Sequence, residues 1–198
     1  MKFILASASP RRREILTHLG LDFAVRVADA DERSDETDAE RLVELLAAKK
    51  ASAVRDAMES DGTLSPDTVI LAADTVVVSP AGIIMGKPRD ASDAKRMLHE
   101  LSGNTHRVVS GIAVLASDGR MATAHETTEV TFAPLSDEII ARYVASGEPM
   151  DKAGAYGIQD TAALWIEGIR GDYFNVVGLP VHRLEQTLNE QFGLSIWY

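Results

Sequence analysis

The sequence predicts an α/β (α+β) chain built on a mixed, twisted sheet flanked by helices. Short apolar runs of strand length alternate with stretches whose apolar residues recur at helical spacing. Glycine, proline and Asx residues punctuate the junctions between them. The 198 residues, 45% of them hydrophobic, are enough to bury a sizeable core. No repeat, low-complexity tract or long linker divides them, so residues 1–198 are expected to form a single domain.

The chain opens with a strand at 3–6 and a polar loop, Ser7-Ala8-Ser9. Ser9 suits a helix N-cap and Pro10 the first helical turn, and Gly20 provides the stop. A second strand is expected at 23–27. The acidic stretch 29–38, with Asp29, Asp31, Glu32, Asp35, Glu36 and Asp38, reads as a solvated loop. Thr37 and Glu40 have the spacing of a capping box for a helix over about 38–58 that buries Leu42, Leu45, Leu46, Ala53 and Ala57. Lys49 and Lys50 fall on or beside that arc, either snorkelling to solvent or projecting into a cleft.

After a turn-rich linker at 60–67, residues 68–73 form a buried strand that ends in Asp74-Thr75, with 76–78 continuing extended. A turn at 80–82 leads to a short return at 83–85. A helix over 90–101 turns Ala94, Met97, Leu98 and Leu101 inward and stops at Gly103. Strands at 107–115 and 122–132 flank the turn signal Asp118-Gly119. Ser136 caps a helix running to about 145, and Gly147 stops it. The glycine-rich segment 150–160 is irregular. A strand at 164–169 and a final helix opened by Pro180, with Val181, Leu184 and Leu188 inward, complete the chain.

A net charge of −10 and a pI of about 4.9 argue against long nucleic acids, whose affinity needs a broad basic surface. A compact phosphorylated ligand needs only local positive charge, or a cation held by carboxylates. With no cysteine there is no disulfide or thiol chemistry, which suits a cytoplasmic protein. The apolar run after Met1-Lys2 is too short for a signal peptide, and no run approaches membrane-spanning length. The five histidines lack metal-ligand spacing, and neither a Walker loop nor a G-x-S-x-G elbow occurs. Tyr156, Trp165 and Tyr173 read as core or cleft wall.

Arg11, Arg12 and Arg13 follow Pro10 at a helix start, where the backbone already carries partial positive charge. Either this is a solvated basic turn, or Ser7, free N–H groups and arginine forks form a cradle for a polyanion. Asp74 ends an apolar run in which an unpaired carboxylate would be costly to bury. It reads as a metal ligand or proton acceptor, or as an Asx turn at a strand end.

The strand–SASPRR–helix start, AADT at 72–75, GKP at 86–88, LSG at 101–103, DKAGAYGIQ at 151–159 and GLP at 178–180 occur in one order along nearly the whole chain. In this the sequence resembles the Maf family of nucleoside triphosphate pyrophosphatases. The resemblance implies an elongated mixed sheet with two lobes around a deep cleft, similar to inosine triphosphate pyrophosphatases. It implies Asp74 as proton acceptor, and Glu32 with Asp74 as ligands of Mg²⁺ or Mn²⁺. Ser7, Arg11, Arg12, Lys50 and Lys87 match the phosphate- and substrate-binding positions, whereas Arg13 falls at a variable one. Arg11, Thr75 and Gln159 match the branch acting on dTTP and UTP, not the branch acting on 7-methyl-GTP. Asp160 departs from the glycine that often follows Gln159. A homodimer and a link to septum formation and division arrest are implied by the resemblance alone. A nucleotide-binding regulator of division that does not hydrolyse is the alternative of another class.

Overall fold

In the computed structural model, which describes residues 1–197, the first apolar run becomes β1 (Lys2–Leu5). It lies parallel to both β2 (Phe23–Val25) and β3 (Thr68–Val78), with Leu5 opposite Val25 on one side and Leu71 on the other. Parallel strands need a crossover, usually helical. α1 (Pro10–His18) connects β1 to β2, and α2 (Ala39–Ser60) precedes β3. The described strands make one mixed sheet in the order β2-β1-β3-β5-β6-β7, with β5 (Thr105–Ala116), β6 (Met121–Phe132) and β7 (Ile166–Arg170). β4 (Ile84–Met85) pairs antiparallel with β3 at Val77 and Val78. α3 (Ala91–Leu101), α4 (Asp137–Ala145), α5 (Tyr173–Val177) and α6 (Val181–Phe192) complete the regular elements, with three short 3-10 turns between 148 and 165. The predicted fold class is the one observed.

The chain divides into two compact units. The first is Met1–Asp74, Ser110–Glu126 and Gly178–Tyr198; the second is Thr75–Val109 and Thr127–Val177. The core of the first joins Ile4, Ile70, Ala113 and Leu115 of the sheet to Ala47, Ala51, Val54 and Met58 of α2. The reason for this choice of helix face lies in β5. A Cβ at Gly111 would lie 2.4 Å from the carbonyl carbon of Val43 and 2.6 Å from the nitrogen of Glu44. The backbones of α2 and β5 touch there, so the buried stripe is Val43, Ala47, Ala51 and Val54 at i+4 and i+3 steps. This corrects the expected arc. Of the residues assigned inward, only Leu46 is buried, and Leu45 is exposed. The cap shifts too: Asp38, not Thr37, accepts the Arg41 N–H at 3.0 Å, while Glu36 accepts from the N–H groups of Thr37 and Asp38.

In the second unit, Met97, Leu98 and Leu101 of α3 pack with Phe132, Ile140 and Tyr156. His106, Phe132 and Tyr156 meet edge to face, and His106 Nε2 lies 2.7 Å from the Tyr156 hydroxyl. Burial pushes the His106 imidazole down to about 4. Tyr173, expected in the core or a wall, is exposed.

Candidate active site

Around Asp74, β3 corrects one expectation. Asp74 does not end the strand but sits inside it. What ends is the neighbouring strand. β1 pairs with β3 as far as Leu71, and Ala6 N–H donates to the Leu71 carbonyl at 2.8 Å. Carbonyls two residues apart on a strand point the same way, so the Ala73 carbonyl faces the side where β1 has run out. Its partner is Arg12, whose Nη1 donates to it at 2.8 Å. A side chain takes the place of the missing strand, and the backbone acceptor next to Asp74 is satisfied.

Arg12 is positioned by the start of α1. The Ser9 hydroxyl accepts the Arg12 N–H at 3.5 Å, which with Pro10 forms the expected N-cap. The guanidinium donates through Nε to the Gly178 carbonyl at 2.8 Å and through Nη1 to Ser7 Oγ at 3.2 Å. Ser7 Oγ also accepts the Ser9 N–H at 3.2 Å. The positive charges at this helix start are therefore answered partly from within the protein. Burial lowers the Arg12 pKa, with Arg11 adding to the fall, and the negative charges of Asp74 and Glu32 oppose it. Arg11 is half-buried beside it, and Arg13 is exposed, as expected of a surface position.

Two lysines of α2 take hold of the acidic loop and of β3. Lys49 Nζ donates to the Arg33 carbonyl at 2.9 Å. Lys50 Nζ reaches Asp74 Oδ1 at 2.5 Å and Glu32 Oε2 at 3.2 Å. Of the two readings open for these lysines, Lys50 projects inward and Lys49 lies along the surface. Asp74 is buried, its side chain 12% exposed, and Oδ2 accepts no hydrogen bond from the described residues. Ser7, Arg12, Glu32, Lys50 and Asp74 are thus joined in one constellation of the first unit, with Arg11 close enough for its charge to act on Arg12.

Three candidate residues belong to the second unit. Thr75 follows Asp74 on β3 and is half-buried. Lys87 is exposed in the turn between β4 and α3, a turn held where the Gly154 N–H donates to the Gly86 carbonyl at 3.1 Å. Gln159 is exposed in a turn closed by the Asp160 N–H donating to the Gly157 carbonyl at 3.2 Å. Asp160, the departure from the family pattern, lies 3.5 Å from the buried ammonium of Lys152. Lys152 also donates to Asp151 Oδ1 at 2.8 Å and to the Glu148 carbonyl at 2.6 Å. Sequence reasoning missed Lys152 and the Ala73 and Gly178 carbonyls. Backbone acceptors carry no side-chain signal, although the glycine of GLP marks the second.

Glu32 and Asp74 offer hard oxygen donors with a cation already lodged against both, so a small divalent cation fits the donor set. No group of three or more metal-ligating side chains occurs among the described residues. Two carboxylates supply only part of a coordination shell, as suits Mg²⁺ shared with substrate phosphates. No helix among the described residues is long and apolar enough to cross a membrane.

Comparison with known proteins gives a consistent result. The sequence is 49% identical over 197 residues to dTTP/UTP pyrophosphatase of Symbiobacterium thermophilum, covering 99% of this chain and 96% of that protein. It is 46% identical to dTTP/UTP pyrophosphatase of Alkaliphilus metalliredigens, covering 98% of each. The structure resembles a HAM1 protein from Coxiella burnetii with a TM-score of 0.52, at 18% identity over 96% of this chain and 99% of that one, a likeness of fold. Residues 2–191 match the profile of the Maf-like protein family. Motifs in order, near-complete coverage and full-length relatives agree, and the chain belongs to the Maf-like family.

Proposed function

We propose that the protein is a nucleoside triphosphate pyrophosphatase that converts dTTP and UTP, with water, to the monophosphate and diphosphate. The observation that carries the phosphate chemistry is the Asp74–Lys50–Glu32 cluster, in the same constellation as Ser7 and Arg12. Its acidic and basic groups divide the labour of phosphoryl transfer. Charge that spreads over the phosphate oxygens needs fixed cations and hydrogen-bond donors, the task assigned to Ser7, Arg11, Arg12, Lys50 and Lys87. The water attacking the α-phosphorus needs a proton acceptor, and Asp74 fits that role because its Oδ2 carries no hydrogen bond from the described residues. Glu32 and Asp74 would hold Mg²⁺ or Mn²⁺, which supplies Lewis-acid stabilisation when bound.

The names borne by the full-length relatives support the base preference. Arg11, Thr75 and Gln159 are assigned to it: an amide and a guanidinium match the alternating acceptors and N–H of a uracil or thymine edge. We assign the activity to the cytoplasm. The experiment is hydrolysis of a nucleotide panel with Mg²⁺ or Mn²⁺, following monophosphate by chromatography and diphosphate by coupling to an inorganic pyrophosphatase. Unchanged dTTP and UTP after long incubation would reject the reading in favour of a non-hydrolytic regulator.

A further inference from the structure

We propose that Lys50 and the divalent cation are alternative occupants of the gap between Glu32 and Asp74, and that the arrival of a phosphate chain decides between them. The inference rests on the proposed function and adds a control over when the site accepts its metal.

The Lys50 ammonium touches both carboxylates, at 2.5 Å from Asp74 Oδ1 and 3.2 Å from Glu32 Oε2. Because one ammonium already spans both carboxylates, a cation held by both acids would come within a few ångströms of Nζ even where it took the other oxygen of each. Two like charges at such separation in a partly buried site repel strongly, and the Arg12 guanidinium adds a further positive charge that already acts on Glu32 and Asp74. With Lys50 in place, the two carboxylates are already half neutralised and present little net attraction to a dication.

Lysine is suited to leaving. Its charge is compact, its stem is flexible, and its donors impose no fixed fork on their partners. The Lys50 side chain is 20% exposed, so it is not sealed in the core. A polyphosphate offers it acceptor oxygens in exchange for the carboxylates. The same phosphates complete a coordination shell that two carboxylates leave incomplete. Nucleotide and metal therefore favour each other's binding, reciprocally, because each removes an obstacle to the other. Without nucleotide, Lys50 keeps Asp74 engaged.

The test is Mn²⁺ binding to the intact protein without nucleotide, read by electron paramagnetic resonance of the free ion. Lys50→Gln should bind Mn²⁺ about tenfold more tightly than the unaltered protein, within the usual span of coupling between two ligands. Adding Glu32→Gln to that variant should abolish the gain. Lys50→Ala, read in the same way and checked by circular dichroism, guards against a variant that fails to fold. Equal or weaker Mn²⁺ binding by folded Lys50→Gln and Lys50→Ala would overturn the proposal. Hydrolysis of dTTP by the unaltered protein is scored separately, so a failed pyrophosphatase assay with a positive Mn²⁺ result rejects the proposed function and leaves the lysine gate standing.

Discussion

Replacing Arg12 by alanine should damage the protein twice, once as a fold and once as a site. The guanidinium makes two hydrogen bonds of 2.8 Å to the carbonyls of Gly178 and Ala73 and one of 3.2 Å to Ser7 Oγ. A hydrogen bond to a charged group contributes about 1.5–3 kcal/mol. The sum is reduced because the variant no longer desolvates a guanidinium, the effect that lowers the pKa of Arg12. We expect a net loss of about 3 kcal/mol, or roughly 6–12 °C in the unfolding midpoint for a chain of this size. Arg12→Lys keeps the charge but cannot fork between two carbonyls, so its midpoint should fall between the two. Differential scanning calorimetry reads this directly, and a fall of less than ~2 °C for Arg12→Ala would refute the clamp. Titration calorimetry then separates the second role: binding of a non-hydrolysable triphosphate should weaken more than binding of the monophosphate. Equal weakening for triphosphate, monophosphate and nucleoside would refute the phosphate contact.

Asp74→Asn should keep nucleotide binding and lose turnover; a variant retaining more than about a tenth of the rate, only ~1.4 kcal/mol of barrier, would remove Asp74 from the centre of the reaction. Gly111→Ala should cost about 1–3 kcal/mol, because its Cβ would press on the Val43 and Glu44 backbone instead of a yielding side chain, whereas Gly168→Ala, with nothing within 4 Å, should unfold like the parent in a urea titration. His106 is held at about 4 in the folded protein against an ordinary 6.5. The unfolded chain therefore binds the extra proton, and stability present above pH 6.5 should be lost, by about 3 kcal/mol, as pH falls through 4. His106→Phe should flatten that limb in urea titrations across the window, and an unchanged limb would assign it elsewhere. Among nucleotides, kcat/KM for dTTP and UTP should far exceed that for ATP, GTP and 7-methyl-GTP, and a preference for 7-methyl-GTP would overturn the base assignment.

The sequence made α3 legible in full, since Ala94, Met97, Leu98 and Leu101 are all buried at the predicted spacing. It did so because one amphipathic face meets one ordinary core. The buried face of α2 differs from the expected one because apolar residues lie on more than one side of the helix, so spacing alone does not choose between Leu42, Leu45, Ala53 and Ala57 and the buried Val43, Ala47, Ala51 and Val54. The close approach of Gly111 to the backbone of Val43 and Glu44 sets which face of α2 turns inward, and that constraint sits on a distant strand. The limits of β3 were hidden for a related reason. A strand does not show where its neighbour stops, so Asp74 looked like a terminus although only β1 ends there. Of the clustered residues, Ser7, Arg12 and Asp74 stand in the quoted motifs, whereas Glu32 and Lys50 lie outside them and are singled out by the resemblance alone. The Lys50 bridge and the carbonyls gripping Arg12 depend on which segments the sheet brings together, and local patterns do not encode that.

The hydroxyl of Ser7 has a consequence for ligand choice. A serine oxygen has two lone pairs and one proton. Ser9 N–H and Arg12 Nη1 both donate into Ser7 Oγ, so both lone pairs are committed. The only valence left is the proton, and it must point at an acceptor. A group wired in this sense is selective by the direction of its hydrogen bond. It welcomes a phosphoryl oxygen, which can only accept, and has nothing to give to an ammonium or an amide N–H. Toward a phosphate chain bound as proposed above, Ser7 would therefore act as a hydrogen-bond donor.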